Sequence, residues 1–562
     1  VLAQLNDGTD VTLQTTTGDV TLNAALAPTA PTSGGLNINS GATARLNASI
    51  TLPTSGEALT VKAVSDILTT VGTSVAPRNF NTYGPILLQS DTDVVGGGGI
   101  SIELYNNFYS HGSPITFSGG AAAATGFAKG PATATTNNAA GIYVAGVVSA
   151  DAADIVMRGS SGTANNDSAG VYIVPGAVLS TTSGNISITG VIPSDTSTAY
   201  SVRAVRIGAG AGTPRPSITA TTGSITINGD ASANTAAPRQ GVIFENSIVT
   251  TTTGAINVTA KAANNTGSFG LYFETLATDV TSTSGAISLT DSSTNNAQTY
   301  INRLNLSTSG AMSLLADKVY WANTNISGTG SFSWLSYGTG FGQTHIFPNS
   351  TTTLASTLTG LTVGRSTSFY GMSNGAAIDI NGPIAYRAGT TSLNYNVTGN
   401  GPMLFTNNDG GFDTYVNANV TVKNRLLGSS LTLKSPLSVN TNSGVSFVTN
   451  KGPLVLWSDS DQATNPNGYV YIGANGTLNT YNGGVASDDA TDGGPITIGG
   501  GAASSDGTVP VGSANQTNNL YYNGGVTFMT DVTVISNGGN ISIMGKNTSS
   551  AYTSEGGVWF NS

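Results

Sequence analysis

The sequence predicts an all-β chain wound as a parallel β-helix, an elongated solenoid of short strands. Three observations predict it. A turn-strand phrase recurs along the chain, its glycines at 223, 254 and 285 stand 31 residues apart, and the composition is apolar enough to bury a core while carrying little charge.

The phrase is a pair of hydroxyl residues, a glycine, then two apolar residues alternating with small polar ones. It reads Thr16-Thr17-Gly18-Asp19-Val20-Thr21-Leu22 near the start and Thr182-Ser183-Gly184-Asn185-Ile186-Ser187-Ile188 further on. Thr253-Gly254-Ala255-Ile256-Asn257-Val258, Ser284-Gly285-Ala286-Ile287-Ser288-Leu289 and Gly539-Asn540-Ile541-Ser542-Ile543 repeat it. Apolar residues at alternate positions belong to a strand with one buried face, and β-branched Thr, Val and Ile suit a pleated surface. The glycine is expected to supply a positive φ at the bend.

A second phrase precedes the first: Gly141-Ile142-Tyr143-Val144, Gly170-Val171-Tyr172-Ile173, Gly241-Val242-Ile243-Phe244 and Gly270-Leu271-Tyr272-Phe273. A third apolar stretch lies between them, such as Ile248-Val249 or Val280. One 31-residue unit therefore holds about three short strands, which wind as a triangular coil. A single coil cannot bury its inward residues, whereas stacked coils share a continuous core. Coils of roughly 20–31 residues, stacked about 4.7–4.9 Å apart, give on the order of 18–28 coils.

Two segments are expected. Residues 1–345 carry the 31-residue rhythm with loop insertions, among them the Ala/Thr/Asn text from Ala121 to Ala140 and the Gly/Pro text from Gly208 to Pro216. Residues 346–562 continue the helix with a different strand opening: Gly382-Pro383-Ile384, Gly401-Pro402-Met403, Gly452-Pro453-Leu454 and Gly494-Pro495-Ile496. Proline is tolerated at the first residue of a strand, where one donor can be spared. The chain reads as a fragment of a longer protein.

Composition narrows the function. Only 9% of residues are charged, against about 25% in an ordinary soluble domain, yet 38% are hydrophobic, which does not fit disorder. The formal net charge is -10 and the 19 basic residues do not cluster, so the footprint needed for phosphate binding is missing and nucleic acid is not an expected partner. There is no cysteine, and no apolar run reaches the ~18–20 residues of a membrane span.

The repeated phrases resemble the repeat regions of filamentous-haemagglutinin-like exoproteins, large adhesins exported by two-partner secretion. A more distinctive passage adds to the resemblance: Gly452-Pro453-Leu454-Val455-Leu456-Trp457-Ser458-Asp459-Ser460-Asp461, followed by Gly494-Pro495-Ile496-Thr497-Ile498-Gly499-Gly500-Gly501. The resemblance implies a right-handed β-helix, export across a Gram-negative outer membrane through a transporter, and adhesion or biofilm roles. Asn465-Pro466 does not stand where that family's amino-terminal secretion signature would place its Asn-Pro element.

Sites of chemistry are weighed against plainer readings. Paired carboxylates could serve glycoside cleavage: Asp91 with Asp93, Asp151 with Asp154, Asp459 with Asp461, and Asp488 and Asp489 with Asp492. All sit in loop-like text with no Arg or Lys recurring beside them, so they read as solvated loop residues. Asn407-Asn408-Asp409-Gly410-Gly411-Phe412-Asp413 is faintly like a calcium loop but lacks the bidentate acid. His111 and His345 are too separated to suggest a metal cluster. Gly371-Met372-Ser373-Asn374-Gly375 has the letters of a nucleophile elbow, but no helical pattern follows it. The aromatic cluster Tyr320, Trp321, Phe332, Trp334, Tyr337, Phe341 and Phe347 reads as core filling ahead of a sugar platform.

The expectation is thus a non-enzymatic secreted surface exoprotein, an adhesin-like shaft, with no cofactor and no catalytic, cofactor-binding or metal-ligating residue assigned. Its partners would be a host or environmental surface, glycans or other copies of itself. A structural subunit of an extracellular filament, sheath or lattice is the alternative, and a polysaccharide-active enzyme the third reading.

Overall fold

Each inward apolar residue of the chain lands on its counterpart one coil later, and this stacking makes the fold. A computed structural model describes all residues except 30–33, 132–138, 163–167, 195–201, 211–213, 234–236, 275, 295–296, 409–412, 462–467, 482–492, 517–523, 549–555 and 562. The chain is a parallel β-helix that divides into two units, Val1–Leu315 and Ala316–Ser562.

In the first unit three parallel sheets wrap one core. The first sheet climbs from Val11–Gln14 through Ile225–Asp230, Ile256–Lys261 and Ile287–Asp291 to Met312–Leu315. The second sheet runs from Val20–Leu22 to Gln298–Asn302, and the third from Ile50–Ser55 to Leu304–Ser307. One coil is one strand from each sheet, for example Ile225–Asp230, Arg239–Glu245 and Ile248–Thr251. The 31-residue interval is the coil: Ile225 pairs with Ile256, and Ile256 with Ile287. A short helix, Leu2–Asn6, precedes the first strand and buries Leu5.

Alternation does what the pattern predicts. Ile225, Ile227, Ile256 and Val258 point inward and are buried, each contributing about 1.5–3 kcal/mol, while Thr226 and Asn257 face out. Inward phenylalanines in register stack on one another, Phe80 on Phe108 at 4.3 Å and Phe244 on Phe273 at 4.8 Å. In the second phrase Ile142 and Val144 enter the core, and Tyr143 faces out beside Tyr172.

Hydroxyl groups align by the same register. Thr281 donates to Thr250 Oγ1 at 3.1 Å, and the Thr251 and Ser282 hydroxyl oxygens are hydrogen-bonded at 2.9 Å, each pair across one 31-residue coil. The buried hydroxyl three residues before the turn glycine also ties the bend. Thr251 Oγ1 donates to the Gly254 carbonyl at 2.6 Å, and the Gly285 amide donates to Ser282 Oγ at 2.9 Å.

The turn glycines themselves serve a different purpose from the expected one. None of Gly184, Gly223, Gly254 and Gly285 has a left-handed φ. They are required by close approach: a Cβ on Gly254 would lie 1.9 Å from the carbonyl oxygen of Gly223, and one on Gly285 1.9 Å from that of Gly254. The bend of each coil rests directly on the bend before it.

The second unit keeps a three-sided coil with a looser step. Its first sheet comprises Ser331–Leu335, Gly360–Val363, Ile384–Ala388, Met403–Asn407, Leu431–Lys434, Leu454–Ser458, Ile496–Ala503 and Ile541–Ile543. The step varies from 19 residues, Ile384 to Met403, up to 45, Ile496 to Ile541. Long excursions between strands cost little, because closure entropy grows slowly with loop length. A second sheet runs from His345–Ile346 to Val558–Phe560 and a third from Ile378–Asp379 to Thr533–Ile535. Each Gly-Pro opening stands immediately before a first-sheet strand. The proline carbonyl still accepts from the coil before, Leu361 N to Pro383 O and Leu454 N to Pro495 O, both at 2.9 Å. The ladder loses only the donor that proline lacks.

A methyl group at position 254 is expected to destabilise the chain by about 1–3 kcal/mol through overpacking. Gly18 occupies the same place in the phrase but has nothing within 4 Å of its Cβ position, so Gly18→Ala is expected to be tolerated. Denaturant unfolding of Gly254→Ala beside Gly18→Ala tests the contact; equal effects at both positions would exclude it as the cause.

Candidate binding groove on the second unit

The outward side of a β-helix sheet is a set of columns, because residues one coil apart stand in register. On the first sheet of the second unit, Arg387 pairs with Thr406, Thr406 with Lys434, Lys434 with Trp457, and Trp457 with Gly499. The neighbouring outward column is Ala385, Leu404, Thr432, Val455 and Thr497. Between these columns and the loops at their edge lies a groove of about 940 Å³.

Its floor is made of short side chains, Leu404, Thr406, Thr432 and Thr497, with Val455. One edge is the Pro453 and Pro495 column, set there by the Gly-Pro openings. At the other edge strand Ile496–Ala503 runs past the sheet and folds back against Pro510–Gly512. The hairpin is tied by Ser504 N to Val509 O at 2.8 Å and by Ser504 Oγ to Asp506 Oδ1 at 2.6 Å. Ser504 Oγ, Thr508 Oγ1 and the Thr508 amide all donate to Asp506 and hold its carboxyl down to about 2. Thr508 and Val509 of this hairpin line the groove. Asn408 lines it further along, its amide donating to the Arg365 carbonyl at 2.9 Å.

Trp457 faces outward yet is 1% exposed. The Lys434 ammonium lies 3.9 Å from its ring centroid, and the indole donates to the Gly501 carbonyl at 2.9 Å. Burial beside the indole lowers the Lys434 pKa, while the ring face offsets part of that penalty. After Trp457 the chain turns at Asp459 with φ 50°, and its amide donates to the Leu437 carbonyl one coil earlier at 3.0 Å. Burial, then the nearby Asp461 charge, raises the Asp459 carboxyl to about 6. Asp461 itself lines the groove.

The other sequence candidates are placed elsewhere. Asp91 is buried in a loop where desolvation raises its pKa, and Asp93 accepts from the Val95 amide at 3.0 Å. Asp151 lies 3.4 Å from His111, which stacks on Tyr83, and Asp154 accepts from the Asn185 amide at 2.7 Å. These carboxylates brace loops and turns. Asp488, Asp489, Asp492 and Asn465-Pro466 lie outside the described residues, as do 409–412 of the calcium-like loop. Its Asp413 accepts from the Ser438 amide at 3.1 Å and from Tyr415 OH at 2.8 Å.

Ser373 sits inside the strand Met372–Asn374, with the buried Asn374 bonded to the carbonyls of Ala376 and Tyr395. Among the described residues no helix follows it. Of the aromatic cluster, Trp321, Phe332, Trp334, Phe341 and Phe347 are buried against one another, and Tyr320 and Tyr337 are exposed. Buried His345 packs edge-on to Trp334 and Phe341, and desolvation lowers its pKa to about 4. Among the described residues no group of three or more His, Asp or Glu stands at metal-binding distance.

Sequence reasoning passed over Arg387 and Lys434, which sit in ordinary strand text and meet only through register. It also passed over two buried polar arrangements in the first unit. Arg206 pairs with Glu245 at 2.8 Å, and Asp291 accepts from Thr299 Oγ1 at 2.6 Å and from the Ser293 amide at 2.9 Å. Comparison with protein-family models, curated proteins and solved structures finds no match to this chain.

Because its folded-state pKa is raised from 3.8 to about 6, Asp459 favours folding only when protonated. That contribution is complete below 3.8 and is lost as the pH rises through about 6. Asp459→Asn is neutral at every pH and tolerates the positive φ. It is expected to raise the thermal midpoint in mildly alkaline buffer and to leave it near wild type in acid. A pH-independent difference between the two proteins would contradict the assignment.

Proposed function

We propose that this chain is a non-enzymatic secreted surface exoprotein, a β-helical shaft of the filamentous-haemagglutinin-like kind that attaches to cells or surfaces. The observation that carries this reading is what the coils show to solvent. Outward positions are amides and hydroxyls laddered from coil to coil, as in Asn107 to Asn79 at 3.0 Å, Asn442 to Asn417 at 3.1 Å and Asn400 to Asn381 at 2.7 Å. Such a surface offers many neutral hydrogen-bonding groups without the like-charge repulsion that stacked ionised residues would suffer. Asp93 and Asp154 are engaged in bracing turns, which supports a binding role over bond cleavage at those two positions. Among the described residues no helix is long and apolar enough to cross a membrane.

A second reading, a subunit of an extracellular filament or lattice, is favoured by exposed aromatic residues in and beside the second sheet of the second unit. Phe369, Tyr370, Tyr395 and Tyr415 are all exposed there. Apolar surface of this kind suits association. Negative-stain microscopy of the purified chain, combined with retention on polysaccharide-coated and cell surfaces, separates the two. Isolated particles that are retained are expected; regular fibres or sheets without surface retention would replace the attachment reading with the assembly one.

A further inference from the structure

The groove on the second unit contains the feature least like the rest of the surface. In a chain with a net charge of -10 and 19 basic residues among 562, Arg387 and Lys434 stand in one outward column, two coils apart. Two steps of a parallel ladder separate their backbones by about 9–10 Å. Neither is ion-paired with a carboxylate among the described residues. Both line the groove, Arg387 toward its Asn408 end and Lys434 on the face of Trp457. Two cations with no carboxylate partner among the described residues, along a trough in an acidic chain, mark a place for a repeating anion.

We propose that this groove binds one strand of a carboxylated polysaccharide, a uronic-acid chain, with Arg387 and Lys434 holding the carboxylates of alternate sugar residues along the coil axis. This rests on the attachment reading and names the ligand class for it. The guanidinium of Arg387 offers a planar fork that matches a carboxylate, and Lys434 presents a point charge. The floor is hydroxyl and small apolar groups, which fits a sugar ring with alternating polar and apolar faces. A peptide cannot add as a strand here, because every floor strand is already paired on both sides in the ladder. Asp461 on the rim, and Asp459 beside it, set against a densely sulfated chain: two cations beside two carboxyls suit an anion of low charge density.

The test uses the whole chain and oligogalacturonate in titration calorimetry, with neutral dextran, heparin and polyglutamate as comparison ligands. Wild type is expected to bind oligogalacturonate in preference to the other three. Arg387→Ala and Lys434→Ala are each expected to weaken binding about tenfold, the scale of one charge-assisted hydrogen bond. Lys434→Arg should retain most of it. Lys423→Ala, which removes the same charge from the third sheet of this unit, should change little. Both groove side chains project outward, so both variants are expected to keep a cooperative thermal transition, lowered modestly in Lys434→Ala, which uncovers the Trp457 ring; that transition reports that the fold is kept. Absence of binding, or equal weakening by Lys423→Ala, overturns the proposal. So does tighter binding of heparin or polyglutamate with the same residue dependence, which would assign the groove to a sulfated glycan or an acidic peptide. If wild type is retained on surfaces but does not bind oligogalacturonate, the groove assignment fails and the attachment reading survives. If wild type binds oligogalacturonate but is not retained on surfaces, the attachment reading fails alone.

Discussion

The register between one coil and the next is the constraint on which the rest of this structure depends. An inward isoleucine has no core of its own; it is shielded by the isoleucine one step below and the one above. The sequence can therefore change wherever register is preserved and almost nowhere that it is broken. Ile225, Ile256 and Ile287 illustrate the strict case, and the long excursion between Leu454 and Ile496 the permissive one. What happens between strands is free as long as the strand returns to the same rung.

Close stacking also dictates the chemistry of the bends and the surface. With carbonyls of successive turns in contact, there is no room for a Cβ, so glycine recurs for spatial reasons at bends whose φ is ordinary. A buried hydroxyl then satisfies the bend carbonyl that no ladder partner reaches, as Thr449 does for Gly452 and Ser536 for Gly539. Outside, the same spacing of about 4.8 Å would force like charges together, and neutral Asn, Ser and Thr avoid this while bonding along the ladder. Low charge and high Thr, Ser and Asn content are thus consequences of the architecture.

The groove follows from a local departure from that regularity. The Gly-Pro openings set an edge of proline rings, and the strand Ile496–Ala503 overruns its sheet and doubles back as a hairpin. The passage that carries the resemblance to exoprotein repeats, Gly452 to Asp461 and Gly494 to Gly501, supplies much of this wall. Trp457 is covered by the hairpin and by Lys434, and thereby fixes where the ammonium sits. The floor stays open because its residues are short.

The sequence alone was enough for the strand phrases, their in-out alternation, the 31-residue coil and the neutral surface, because each is a local pattern repeated many times. Its reading of the bend glycines was right in position and wrong in cause, since a carbonyl one coil away leaves no trace in the local text. The aromatic cluster around Trp334 could be read as filling, but that Tyr320 and Tyr337 stay outside depends on strand phase. Arg387 and Lys434 are 47 positions apart, with an irregular step between their coils, so no periodicity links them. Only the wound chain places them in one column, because spatial neighbours across coils are set by where each strand rejoins the ladder, and loop length hides that from the sequence.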